Sequence, residues 1–253
     1  MLQSLNKFPR LFRMIGETVA IVLSILLAFA IDAWWQDRAE YREETSALRA
    51  LRDEFEANRE VLERFIAFHS DLQSSARAVL QLAADPTAET AAEEVDRLIV
   101  DITWWGSPVS FESAALDAVI LGAKLDLLDN EALRRMLADW RSQLVSTSGQ
   151  NAQEFEHFYG ALLPVLRSRA NLAQISNASL RVPGEFFDDP GARLPVPAGR
   201  LDHRALINDR EFQNAVVEKY WIEEDMLRQY RLLEPRIEKL LETLNSEISG
   251  RDE

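Results

Sequence analysis

The chain contains no cysteine. Disulfides, thiolate chemistry and cysteine-ligated zinc or iron–sulfur sites are therefore excluded. Glycine and proline are scarce, at nine each in 253 residues, and the abundant Ala, Leu, Glu and Arg favour helix. No stretch alternates in the manner of a strand, so the expected class is all-α. Positive charge is also short: 28 Lys and Arg stand against 42 Asp and Glu, a net charge of −14. So acidic a chain lacks the cations that neutralise phosphates, which sets nucleic acid aside. No P-loop, G-x-S-x-G, dinucleotide fingerprint or H-E-x-x-H occurs, so no enzyme and no cofactor is expected.

One long apolar stretch is present, "RMIGETVAIVLSILLAFAIDAWWQDR" (13–38). Its uncharged run, Thr18 to Ile31, is 14 residues, short of the roughly 20 a membrane span needs. Counted from Met14 to Trp35 it is 22 residues, or about 33 Å of helix against a hydrocarbon core of about 30 Å. The expectation is a transmembrane anchor over 14–35, with the lipid bilayer as a partner. Glu17 and Asp32 then stand near its two boundaries, Arg13 pairs with Glu17, and Trp34 and Trp35 are interface anchors. Lys7, Arg10 and Arg13 keep residues 1–13 cytoplasmic, which puts 36–253 outside a bacterial inner membrane as a periplasmic domain. Ala28-Phe29-Ala30 also fits a signal-peptide cleavage site, and that alternative stays open. Gly16, Ala20, Ser24 and Ala28 recur every four residues, a spacing that suits close packing on a second copy or a partner membrane protein.

Beyond the tryptophans, Leu48, Leu51, Phe55, Asn58, Leu62, Phe65, His69, Leu72, Ala76, Val79 and Ala83 alternate steps of three and four. They form one stripe on a long helix that continues the anchor and ends at Asp85-Pro86-Thr87. Shorter helices are expected from Thr90 to about Trp105, after a Ser110 cap with Gly122 closing it, and from near Asn130 through Leu133, Leu137, Trp140 and Leu144. After the polar "STSGQN" (146–151) the pattern resumes at Phe155, Phe158, Leu162 and Leu166. Periodicity is absent over 173–207, which reads as a long irregular loop. Asn208 and Glu211 form a capping box, with Ile207 and Phe212 as its staple, for a last helix carrying a kink at Pro235. Together these elements predict an antiparallel helical bundle.

"IGE", "IDAWW" and "FESAALDAVILGAKLDLLDNEALRRMLADW" (111–140) resemble a family of uncharacterised bacterial single-pass membrane proteins. That family carries an I-G-E, a short span ending I-D-x-W, a coiled helix and a central Y-E-x-L-x-x-S-G-x-L-x-L-I-x-N-x-x-L segment. Phe111 stands where the family often has Tyr, and Leu121 where it often has Ser. The resemblance implies a retained anchor and a helical periplasmic domain, and brings no activity.

Three histidines remain. His69 lies on the apolar stripe, where a lone His is more often core than ligand. Glu154 and His157 form an E-x-x-H, but a di-iron bundle needs a second copy and further glutamates, so no metal site is expected. His203 follows Asp202 in the loop and has no visible partner. The expected function is a non-catalytic, membrane-tethered interaction or scaffold module, oligomeric through its small-residue ladder. Two alternatives are a ligand-sensing bundle with Asn58, His69 and the "STSGQN" layer as its polar interior, and an ion-coupled subunit using Asp32 or Glu17.

Overall fold

The stripe predicted from Leu48 to Ala83 is one face of an unbroken helix. A computed structural model describes residues 8–85, 87–88, 90–104, 110–122, 125–147, 151–179, 194–196 and 202–252, with side chains of the first helix from Ile21 onward. Helix α1 runs Phe8–Ala84, 77 residues, about 115 Å at 1.5 Å per residue. Every stripe residue is buried except Phe65 and Ala83, which are half-buried. The helix stops at Asp85, whose Oδ1 accepts from the backbone N–H of Thr87 at 2.9 Å and its hydroxyl at 2.6 Å.

Eight further α-helices follow among the described residues: α2 (Ala92–Thr103), α3 (Ala114–Leu121), α4 (Glu131–Thr147), α5 (Asn151–His157), α6 (Leu163–Arg169), α7 (Leu172–Ser179), α8 (His203–Ile207) and α9 (Arg210–Asp252). A π-turn, Phe158–Leu162, joins α5 to α6. No strand occurs among the described residues. α9 lies antiparallel to α1: Tyr41 meets Arg251, Arg59 meets Glu238 and Arg77 meets Tyr220, so positions rise on one helix as they fall on the other.

Several local expectations are corrected. Asp209, not Asn208, caps α9, its Oδ1 accepting from Glu211 and Phe212 N–H at 2.9 and 3.0 Å. As expected, α9 continues through Pro235. Ser113 rather than Ser110 stands at the N-terminus of α3, and Gly122 closes it at φ −73°, outside the left-handed region. The loop expected over 173–207 begins and ends in helix, α7 and α8. Asn130 does cap α4, accepting from Leu133 N–H at 3.0 Å.

The anchor expected over 14–35 is also overturned, together with the inner-membrane placement, the cytoplasmic tail and the periplasmic body. Among the described residues no helix is long and apolar enough to cross a membrane. The uncharged run between Glu17 and Asp32 is 14 residues, short of the roughly 20 that a span needs.

Two apolar clusters fill the interior. One joins Leu48–Leu62 of α1 to α3, α4 and Met226–Ile248 of α9. The other joins Ala76 and Val79 to α2, α6, α7, α8 and Phe212–Val216. Between them, along α1 and α9, lies a layer of buried charge.

Candidate functional site

Each helix of that layer contributes a polar side chain from its inward stripe. α1 supplies His69, α5 supplies Glu154, and α9 supplies Lys219 and Glu223 one turn apart; all four are 2% exposed or less. The Lys219 ammonium donates to the Trp104 carbonyl at 2.6 Å and to Glu154 Oε1 at 2.9 Å, and lies 2.6 Å from Glu223 Oε1 as an ion pair. His69 Nδ1 sits 2.6 Å from Glu223 Oε2. Since that carboxylate is an acceptor, Nδ1 carries the proton and donates it.

The two carboxyl groups are shifted in opposite directions. Burial pushes Glu154 above its ordinary value, reinforced by the charge of Glu223 and only partly opposed by Lys219. Burial also acts against charge on Glu223, but the His69 hydrogen bond and the Lys219 ammonium outweigh it and hold that group below its ordinary value. Burial thus favours the protonated form of Glu154, while its partners favour the ionised form of Glu223. Two buried oxygens, Glu154 Oε2 and Glu223 Oε1, have no hydrogen-bond partner among the described residues, although Glu223 Oε1 faces the Lys219 ammonium at 2.6 Å. Burial and the neighbouring carboxyl charges likewise push the Tyr230 phenol up.

One ligand atom each from His69, Glu154 and Glu223 falls within 4.8 Å of the others, a donor set of the metal-binding type. Lys219 already stands between the carboxylates, so the cation they bind is an ammonium belonging to the chain.

Sequence periodicity missed how α5 faces inward. It placed Phe155 on the stripe, yet Phe155 is 49% exposed while Glu154 and His157 are buried. The buried series is 154, 157, 162, 165, 166, with a step of five between His157 and Leu162 where the π-turn lies. A π-turn rotates the helix face, and a fixed step of three or four cannot follow it. Lys219 and Glu223 carried a readable signal, because they occupy stripe positions between Ala215 and Met226 on α9, where charge is rarely buried unpaired.

The E-x-x-H does not act as a unit. His157 turns from Glu154 to donate Nε2–H to the Ala215 carbonyl at 2.9 Å, with Glu218 Oε2 3.8 Å away. His203, expected without a partner, has Nε2 2.7 Å from Asp96 Oδ1, and Gln174 donates to the same carboxylate. Asn58 is structural: its amide donates to the Glu112 carbonyl at 2.8 Å and accepts from Glu112 N–H at 2.7 Å. Four residues earlier, Glu54 accepts from Ala115 and Leu116 N–H and so caps α3 from a different helix. Glu44 accepts from Asp129 N–H at 3.0 Å. Three buried polar groups of α1 thus clamp the backbone of the central segment. Within "STSGQN", residues 148–150 lie outside the described residues.

At the other end of α1, Ser24, Ala28, Asp32, Trp34 and Trp35 lie on a part of the helix where every described side chain from Ile21 to Glu43 is exposed. Gly16, Glu17 and Ala20 fall outside the described side chains. The Trp34 and Trp35 rings meet edge to face at 5.3 Å. No protein-family model, curated protein or solved structure matches the chain.

Proposed function

We propose that the protein is a non-catalytic helical interaction module that self-associates by pairing the projecting part of α1, Ile21–Trp35, with the same segment of a second copy. One observation carries the reading. Ten large apolar side chains between Ile21 and Trp35 are each 49–67% exposed. A helix apolar on all sides is ordinarily a buried one. Ten half-exposed side chains amount to on the order of 1,000 Å², about twice the largest apolar patch of a typical monomer. If half of each segment is covered in a pair, roughly 1,000 Å² is buried in total, the threshold for a specific interface.

A second copy suits this surface for two further reasons. Ser24 and Ala28, continuing the spacing of Gly16 and Ala20, leave a shallow face on which two identical helices approach closely. Gln36 to Glu40, five exposed residues or about 7.5 Å of helix, separate the paired segment from Tyr41, where the body begins, which eases the repulsion between chains that each carry −14. A ligand-binding interior is less well supported, because the three donors of Lys219 are directed at Trp104, Glu154 and Glu223.

Sedimentation of the full chain, beside a Ser24→Ile/Ala28→Ile variant, tests the proposal. A dimer or larger species that the variant shifts toward monomer supports it. It is overturned if the full chain is a monomer, if the variant associates unchanged, or if phosphatidylcholine vesicles capture a monomeric chain.

A further inference from the structure

The projecting segment and the body share one unbroken helix, so a face of the segment is also a face of the body. About 18 residues make five helical turns, which puts Arg42 and Glu60 in line with Ser24, and Ser46 and Arg64 in line with Ala28. Those four body residues are exposed, as are Arg49, Asp53 and Glu56 between them. Together they form the back of α1. On its front, Leu48, Leu51, Phe55 and Leu62 pack against α3, α4 and α9. Only the five residues from Gln36 to Glu40 separate segment from body.

Two copies can join through their segments in either of two directions. In a parallel, in-register pair the bodies lie side by side at one end. Pairing through the front face is blocked there, because the space beside α1 is filled by its own bundle. Pairing through the back face sets each exposed residue against its own copy: Arg42 on Arg42, Arg49 on Arg49, then Asp53, Glu56, Glu60 and Arg64 in turn. Of the seven residues on the back only Ser46 is uncharged, and like charges facing each other across an interface oppose association.

An antiparallel pair meets neither obstacle. Its bodies lie at opposite ends, and the two copies of Tyr41, where the bodies begin, stand about 40–50 Å apart by helix rise. That is several times the Debye length of about 8 Å, so the repulsion between chains of −14 each is screened. On the self-association proposed above, which this arrangement presupposes, we infer that the two copies run antiparallel. They join about a two-fold axis near Ser24–Ala28 and form a two-headed rod with an acidic body at each end.

Distance measurement by electron–electron double resonance between nitroxide labels tests the direction, and the absence of native cysteine leaves one label per chain. Arg42→Cys and Ser46→Cys, both exposed and outside the paired segment, are each labelled in the full chain. Antiparallel pairing predicts a distance between copies of about 40–55 Å at position 42. It should rise by about 12 Å at position 46, twice the rise of four residues. A distance of about 10–25 Å, equal at the two positions, is that of adjacent parallel helices and overturns the direction alone. No measurable distance, or one that shortens from 42 to 46, means that the segments do not pair with each other and overturns the self-association itself.

Discussion

Glu154→Gln and Glu223→Gln change the same atoms in the same buried layer, yet they should affect stability in opposite directions at neutral pH. Glu223 is held toward the ionised form by Lys219 at 2.6 Å and His69 at 2.6 Å. Neutralising it removes the shorter of the two carboxyl contacts of the Lys219 ammonium, and breaking a buried ion pair in this way costs about 3–5 kcal/mol. Glutamine at 154 imitates the protonated form that burial favours. Because the folded value of Glu154 is raised, the native state binds more protons than the unfolded chain above about pH 4.3. Wild-type stability therefore falls as pH rises through that window, at up to about 1.4 kcal/mol per pH unit until the folded value is reached. Glu154→Gln removes this loss, so its advantage over the wild type should be near zero at pH 4 and grow toward pH 8. Glu223 has the reverse sign: its contribution is present above about pH 4.3 and lost as pH falls through its lowered folded value. Urea unfolding of the full chain and both variants by circular dichroism at pH 4, 6 and 8, with a common m-value, provides the comparison. Equal destabilisation by the two substitutions, or a Glu154→Gln difference that does not vary with pH, would refute the assignment of the proton.

Two further substitutions probe the frame around this layer. Asn58→Leu should lower stability by about 2–3 kcal/mol in thermal melts, since it strips both backbone partners of Glu112 at a fully buried position. Asp209→Ala should cost about 1 kcal/mol through loss of the α9 cap, whereas Asn208→Ala should change little, which separates the observed cap from the one the sequence suggested.

The helical class, the continuous α1 and the inward stripe from Leu48 to Ala83 follow from the sequence because they are local properties. Composition sets helix propensity, and burial along a regular helix repeats every three to four residues. The Asn130 cap is local for the same reason, and Asp209 rather than Asn208 fell within the one-residue slack that such signals carry. Apolar character over Thr18–Ile31 is also visible in the chain, but among the described residues no helix is long and apolar enough for the span that was expected from it.

The charged layer belongs to tertiary structure. His69 and Glu223 are 154 positions apart, and only the register of α1 against α9 decides that they meet. The burial of Glu154 depends on a π-turn that shifts the face of α5, a change no fixed period reveals. Glu54 is one acid among many in its helix and Asn58 one polar member of the inward stripe, and they become a cap and a clamp because the central segment docks there. The sequence by itself determined which faces are apolar. Which charges end up sharing a dry layer, and which of them keeps the proton, was decided only by packing, because desolvation and Coulomb terms depend on distances between residues remote in the chain.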